Sequence, residues 1–136
     1  SSTDHTVVTT VHGGGGRYAH RRIAFLSQRR FPIDMKISMQ QAALAFTVVV
    51  FAHKLEDNTR KVMDISECIV HDDGELEYRT LYRYKIHSNE YVDGQFHIVG
   101  EFIQENSPSE YLRSKLLRGG IPHELLKRFE REEESV

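Results

Sequence analysis

The first half of the chain alternates runs of buried-strand character with segments of helical periodicity. Thr6–Val11 is β-branched throughout and predicts a buried strand, which a run of glycines then ends. The spacing of apolar residues predicts a helix over Tyr18–Arg30 and a second helix from an N-cap at Ser38. Thr47–Phe51 is β-branched and aromatic and predicts another buried strand. Helices and buried strands in alternation favour a parallel α/β sheet over residues 1–59.

The second half changes to alternating apolar and polar residues, with turn signals between the alternating segments. Strands are predicted over Arg60–Val70, Leu76–Ile86 and Gln95–Ile103. Asp72–Gly74 and Asp93–Gly94 stand between them, and Asp-Gly pairs are typical of tight hairpin turns. The sequence therefore predicts an antiparallel meander with one face in water.

Two short helices and an acidic tail follow the meander. The helices are predicted over Ser109–Leu117 and His123–Phe129, and residues 130–136 form a polar tail rich in glutamate. No linker separates the two halves of the chain. Residues 1–59 and 60–129 are therefore interpreted as parts of one domain, in which the antiparallel sheet and its helices are appended to the parallel sheet.

Composition and charge narrow the class of protein. The chain has 136 residues, of which 39% are hydrophobic and 28% charged, as in an ordinary globular domain. Its net charge of -2 gives no bulk attraction to nucleic acid or anionic lipid. Cys68 is the only cysteine, which excludes an intramolecular disulfide and a cysteine-rich zinc site and fits a reducing cytoplasm.

The lengths of the apolar segments and the first residues of the chain indicate where in the cell the protein is expected. The longest apolar region, Ala42–Ala52, is far shorter than the roughly 20 residues of a membrane-spanning helix. Residues 1–5 are polar, so no secretory signal peptide is expected there. The chain begins without methionine, which predicts a fragment or a processed product.

The candidate chemistry is limited first by a motif that the sequence lacks. No Gly-x-x-x-x-Gly-Lys-Ser/Thr stretch is present, so no P-loop can hold nucleotide phosphates. Gly13–Gly16 precede a predicted helix, and free backbone N–H groups at such a position can bind an anion. Because no Lys-Ser/Thr pair follows, a flexible turn is the preferred interpretation of the glycine run.

His12 is the main candidate site residue. It follows a predicted buried strand, at the edge where open α/β sheets bind ligands, and its imidazole could hydrogen-bond a phosphate or a water. The alternative is a histidine that merely closes the turn, and the residues around it by themselves favour that alternative. Arginines of the following helix could reach the phosphates of a neighbouring subunit, or could form an ordinary solvated face.

The eight histidines do not form a metal-binding pattern. No His-x-x-x-His pair exists, and no carboxylate is placed to complete a set of ligands, so no metal site is predicted. Cys68 lies in a predicted strand beside Ile69 and is expected in the core rather than as a nucleophile.

The order of these features resembles that of the secretion and pilus-assembly ATPases of type II and type IV systems, and in particular the CpaF/TadA branch. Thr3–His12, with the helix that follows and contains Arg22, is similar to the His-box region of that family. The resemblance covers about residues 1–129. It continues through Gln40–Ala42, Val48–Phe51, His53–Val62, Asp64–Glu67, Leu81–Tyr84, and Gly94–Phe96 with Gly100.

The resemblance implies a RecA-like motor domain in a hexameric ring that couples ATP hydrolysis, with Mg²⁺, to protein secretion or pilus assembly. It places His12 near the γ-phosphate, Thr10 on the same strand, and Arg22 at the position of a family arginine. The P-loop, the Asp box and the Walker B glutamate precede the His box in that family and are absent from this chain. The chain alone is therefore expected to be inactive and to bind no cofactor.

The resemblance also implies partners and a location. The expected partners are further copies of the protein and the inner-membrane platform proteins of a secretion or pilus machine. The expected location is the cytoplasm, at the inner face of the cell membrane through those partners. No nucleic acid partner and no direct insertion into the membrane are expected.

Two departures from the family pattern leave an alternative open. Four glycines follow His12, where the family has a small residue and then a polar stretch, and Asp4 stands where the family often has glycine. The alternative is a non-catalytic interaction module derived from such an ATPase. Nucleic-acid binding through the arginine-rich helix is a third and weaker alternative.

Overall fold

The computed structural model describes residues 8–30 and 33–131, which form an α/β fold with a single antiparallel sheet. No helix within these residues is both long enough and apolar enough to cross a membrane. In chain order the elements are α1 Gly16–Gln28, α2 Met35–Ala45, β1 Val48–Lys54, β2 Arg60–Val70, β3 Leu76–Val92, β4 Gln95–Gln104, α3 Glu110–Arg118 and α4 His123–Leu126, which a 3-10 turn extends over Lys127–Phe129.

The sheet is a meander because short turns connect its strands. The strands pair in the order β1-β2-β3-β4, each antiparallel to the next. Asp93 and Gly94, with φ of 52° and 77°, form the two-residue turn between β3 and β4. Two consecutive positive φ values match the right-handed twist of the flanking strands. Gly74, with a φ of 85°, serves the turn between β2 and β3. The predicted antiparallel meander is confirmed. Its predicted water-facing side is not, because α1 contacts one face of the sheet through His20 and Tyr78, and the start of α3 contacts the other through Ser109 and Glu67.

The predicted parallel sheet is not found among the described residues. β1 coincides with the second predicted buried strand, but it pairs antiparallel with β2, with Val48 opposite Glu67. The connection explains this pairing, since a parallel crossover needs roughly a dozen residues and only residues 55–59 separate the two strands. Of the predicted strand over residues 6–11, residues 8–11 carry no strand pairing, and residues 6 and 7 lie outside the described part of the chain.

Local hydrogen bonds set the starts of two helices, and both starts differ from the prediction. α2 begins at Met35 because the Asp34 carboxylate accepts a hydrogen bond from the Lys36 N–H over 2.8 Å. The predicted cap, Ser38, is instead a buried residue within the helix. α3 begins at Glu110, one residue after the predicted start, because Ser109 is its N-cap and the Ser109 hydroxyl accepts from the Leu112 N–H.

Helices cover both faces of the sheet. Neighbouring residues of a strand point to opposite faces, so Glu67 and Cys68 of β2 mark the two sides. Tyr78, which lies opposite Cys68 in the register, contacts His20 of α1, so α1 and the adjacent α2 cover the face of Cys68. Glu67 contacts Ser109 at the start of α3, so α3 covers the other face.

The apolar core is small and depends on short side chains between α1 and α2. Ala24 and Ala43 are each 1% exposed, and such small residues let two helices approach closely. His20 and Glu67 are buried as well, so polar contacts hold part of the interface between helices and sheet. Among residues 8–30 and 33–131, the buried apolar residues are Ala19, Ala24, Ala42, Ala43, Cys68, Leu81, Tyr84, Leu112 and Leu126.

Candidate functional site

A cleft lies between residues 8–13 and the outer edge of β1. Its volume is about 730 Å³, and its walls include residues 8–13, part of α1, and Val48–His53. β1 is the first strand in the sheet order, so its outer edge has no strand partner among the described residues. Residues 8–11, on the opposite wall, are not paired in a strand either. The cleft therefore separates two stretches of backbone that could each pair with a further strand.

Two of the three predicted site residues meet at this cleft. Thr10 and His12 both line it, and both are exposed. Arg22 does not line it. This residue is exposed on α1 and lines a separate cleft of about 260 Å³ with Arg21 and two aromatic side chains. The structure thus brings Thr10 and His12 together and places Arg22 elsewhere.

The glycine run turns the chain from the cleft into α1. Gly15, the N-cap residue, has a φ of 122° and a ψ of -174°, a conformation essentially restricted to glycine. Gly16 packs against Tyr78, where an added β-carbon would lie only 3.0 Å from the ring atom Cδ1. Both positions therefore have a structural reason to be glycine, which supports the turn interpretation of the run over a phosphate-binding loop.

A chain of hydrogen bonds behind the cleft joins α1 to the sheet. His20 is fully buried, its Nε2–H donates to the Phe46 carbonyl oxygen over 2.7 Å, and its Nδ1 accepts from the Tyr78 hydroxyl over 2.7 Å. Because a carbonyl oxygen can only accept, Nε2 carries a proton. Burial disfavours a second proton on the ring, so the imidazole is neutral and Nδ1 accepts from Tyr78. Burial lowers the pKa of His20, and the hydrogen bond to Phe46 opposes part of that effect.

The Cys68 thiol lies beside this chain of hydrogen bonds. Cys68 is 2% exposed, and it stands opposite Tyr78 in the pairing of β2 with β3. Burial raises the pKa of both Cys68 and Tyr78, so both groups stay protonated near neutral pH. Cys68 is a core residue, as predicted, and a buried thiol with a raised pKa is not an activated nucleophile. The hydrogen bonds of His20 to Phe46 and Tyr78 fix α1 to the sheet.

A second buried polar contact fixes α3 to the other face of the sheet. Glu67 is 0% exposed and accepts from the Ser109 N–H over 2.6 Å and from the Ser109 hydroxyl over 2.7 Å. Its carboxylate lies at the N-terminus of α3, where the helix dipole favours negative charge. In the last turn of α3, the Lys115 ammonium donates to the Thr47 hydroxyl over 3.0 Å, directly before β1. The strand that lines the cleft is therefore supported from both faces.

His20 and Glu67 hold helices to the sheet, and neither was predicted as a buried polar residue. The sequence nevertheless contains an indication of burial for each. His20 belongs to the buried side of α1, together with Ala19 and Ala24. Glu67 alternates with Ile65 and Ile69 and so shares their face of β2. A polar residue inside an apolar periodic set indicates a buried hydrogen-bonded group.

No protein-family model matches the chain, and no curated protein matches it with significance. Within residues 8–30 and 33–131, no three histidine, cysteine or acidic side chains are grouped so that they could hold a metal ion. Two exposed imidazoles line the cleft, those of His12 and His53, and each can donate or accept a hydrogen bond. Of the two, His12 is the predicted site residue.

Proposed function

We propose that the chain is the C-terminal part of a hexameric secretion or pilus-assembly ATPase of the CpaF/TadA type. Such a motor couples ATP hydrolysis to protein secretion or to assembly of a pilus. The cleft is the observation that carries the proposal. Thr10 and His12 stand on one of its walls, and the unpaired edge of β1 forms the other.

The cleft lies along the outer edge of β1, where a further strand could enter. An inserted strand would satisfy the outer backbone groups of β1, which an open edge leaves without protein partners.

In this proposal the inserted strand belongs to the nucleotide-binding core of the complete protein. It would join β1 and the segment before His12 into the parallel, RecA-like sheet that the resemblance implies. Open α/β sheets bind ligands at the ends of such strands, which is where His12 would then stand. The P-loop and the Mg²⁺ ligands have to come from another part of the protein, because this sequence contains no P-loop.

The role proposed for His12 is to hydrogen-bond an oxygen of the γ-phosphate, with Thr10 beside it on the same wall. Phosphoryl transfer requires mainly positioning and electrostatic stabilisation from a protein, and an imidazole N–H supplies both. The exposure of both residues supports this role, since the cleft leaves them accessible.

The role proposed for Arg22 lies across a subunit boundary. It lines a different cleft from His12 and therefore does not share the His12 site. In a ring it would help to neutralise the phosphates held by a neighbouring subunit, as an arginine finger does.

The proposed setting follows from the same resemblance. The complete protein would form its ring in the cytoplasm, at the inner face of the cell membrane, and would work with the platform proteins of its machine. ATP and Mg²⁺ would be cofactors of the complete protein. Neither a nucleic acid nor insertion into the bilayer enters the proposal.

ATP hydrolysis by a longer form of the protein that contains a P-loop tests the proposal. The present chain alone should hydrolyse no ATP, whereas the longer form should. In the longer form, His12→Ala should lower kcat about 100-fold, as the loss of one stabilising hydrogen-bond donor does. His97→Ala is the matched control, because His97 is exposed on β4 and does not line the cleft.

The outcomes separate the two candidate functions. Unchanged turnover by the His12→Ala protein would remove His12 from the mechanism. A longer form that hydrolyses no ATP, although it folds, would favour the non-catalytic interaction module instead. Hydrolysis by the present chain alone would contradict both.

A further inference from the structure

The outward side of α1 combines arginines with aromatic residues. Tyr18, Arg21, Arg22, Phe25 and Arg29 recur at helical spacing and so lie on one side of α1 and its C-cap. All five are exposed, including 49% of Tyr18 and 48% of Phe25. These five residues are called the arginine face below.

No acidic group in the described part of the chain neutralises the arginine face. α1 contains no acidic residue, and no ion pair within residues 8–30 and 33–131 involves Arg21, Arg22 or Arg29. The cations of α1 are all arginine, whose planar guanidinium binds a carboxylate through two parallel hydrogen bonds. Arginine and aromatic residues are also enriched in protein interfaces, whereas lysine is depleted there. The composition therefore favours a protein partner that presents carboxylates.

The turn between β2 and β3 presents such carboxylates. Asp72, Asp73 and Glu75 are exposed there and are called the acidic turn below. Of these three carboxylates, Glu75 pairs with Lys36 at 3.4 Å, with 71% and 57% of the two side chains exposed. His71 of the same turn lies 3.5 Å from Glu77 of β3. Because ion pairs as exposed as the one between Glu75 and Lys36 contribute little, the carboxylates of the turn remain available to a partner.

The arginine face and the acidic turn do not pair with each other within one molecule. Arg17, at the start of α1, reaches toward β3 but donates to the Leu76 carbonyl oxygen over 3.4 Å rather than to a carboxylate. No ion pair between α1 and the acidic turn is formed in the described structure. Two patches of opposite sign that the described residues leave without an ion pair between them are complementary between copies.

We infer that the arginine face binds the acidic turn of a second copy of this chain. The contact joins different patches on the two copies, which is the head-to-tail type from which rings are built. The inference goes beyond the proposed function and does not depend on it, because it concerns association in the absence of nucleotide. α1 has 13 residues and is about 20 Å long, so the contact is expected to bury less than about 1,200 Å² and to be weak.

Sedimentation equilibrium of the chain without nucleotide, up to millimolar protein, tests the inference. The wild-type chain should self-associate at about 0.1 M salt and much less at about 1 M, where the Debye length falls from about 10 Å to about 3 Å. Arg21→Glu with Arg29→Glu should weaken association about tenfold or more, because like charges then face each other. Arg22 stays unchanged, so that its proposed role at a phosphate is not disturbed.

A charge exchange completes the test. The double variant Asp72→Lys with Glu75→Lys should weaken self-association to the same extent. Asp73 stays unchanged because its carboxylate accepts a hydrogen bond from the Glu75 N–H over 2.9 Å, which shapes the turn. Mixing the two double variants should restore association, since glutamates on one copy then face lysines on the other. Circular dichroism on each variant checks that it remains folded.

Three results would overturn the inference. The first is a wild-type chain that stays monomeric at every concentration, and the second is a mixture of the two variants that associates no better than either alone. The third is a result in which replacing Arg21 and Arg29 abolishes binding of RNA or of phosphatidylglycerol vesicles but leaves self-association unchanged. That result would assign the arginine face to a phosphate-bearing partner.

Discussion

Replacing Ser109 by alanine should destabilise the fold far more than the same change at an exposed serine of α3. The Ser109 hydroxyl donates to the buried Glu67 carboxylate over 2.7 Å, and it accepts from the Leu112 N–H over 3.2 Å as the N-cap of the helix. Ser109→Ala removes both hydrogen bonds. The backbone N–H of residue 109 can still donate to Glu67, so the substitution isolates the contribution of the hydroxyl.

The magnitude follows from the burial of the carboxylate. A hydrogen bond to a charged group contributes about 1.5–3 kcal/mol, and the loss of an N-cap typically costs about 1 kcal/mol. Because Glu67 is 0% exposed, water does not replace the lost donor, and the upper part of the first range applies. The free energy of unfolding should therefore fall by about 3–4 kcal/mol. That is a large share of the roughly 5–15 kcal/mol by which a domain is usually stable.

Urea unfolding followed by far-UV circular dichroism measures this difference. Ser114→Ala is the matched control, because Ser114 is exposed in the same helix and its replacement should change stability by less than about 0.5 kcal/mol. Equal m values for the three proteins would allow the midpoints to be compared directly. Equal midpoints for the two variants would refute the argument that the Glu67 contact holds α3 to the sheet.

Two further predictions concern residues behind and beside the cleft. Burial holds the pKa of His20 below the value of about 6.5 expected in the unfolded chain. As the pH falls below about 6.5, this histidine is therefore protonated in the unfolded chain before it is protonated in the folded one. The folded state loses stability over that range, down to the folded pKa. Relative to His20→Gln, the wild-type free energy of unfolding should show an extra slope of up to about 1.4 kcal/mol per pH unit in that window, and parallel pH curves would contradict this. Gly15→Ala should cost about 1–3 kcal/mol because of the φ of 122°. Gly14→Ala, with open space around the residue, should change stability by less than about 1 kcal/mol, so equal unfolding midpoints for the two glycine variants would refute the backbone argument.

The antiparallel meander could be predicted because its signals are local. β2 has the predicted bounds, Arg60–Val70, since turn residues interrupt the alternation at both of its ends. β3 continues to Val92, past the predicted end at Ile86, because it stays paired with β4 up to the Asp93–Gly94 turn. A bulge after Ile86 shifts the alternation of apolar and polar residues there. The alternation therefore predicted that the strand ends at Ile86.

The partner of β1 could not be predicted in the same way, because an apolar run does not identify its neighbours. Such a run is typical of a buried strand in a parallel sheet, yet Val48 and Val50 are 42% and 57% exposed in this structure. The informative signal was the length of the next connection. Residues 55–59 are too few for a parallel crossover and favour the hairpin with β2.

The candidate site was predictable only where its residues belong to one segment. Thr10 and His12 are close in sequence, so they necessarily share a wall of the cleft. The position of Arg22 depends on helical phase instead. Ala19 and Ala24 are on the buried side of α1, so Arg22 lies on its outward side, away from the cleft.

Hydrogen exchange along β1 tests most directly whether a strand of a nucleotide-binding core occupies the cleft. In a longer form of the protein that contains a P-loop, amide exchange in β1 should slow at alternate residues relative to the present chain, because the outward N–H groups gain carbonyl partners. β4 is the internal control, because it lies at the far edge of the sheet and should exchange equally in both proteins. Equal exchange of β1 in the two proteins would contradict the proposal that this cleft is completed as part of a motor.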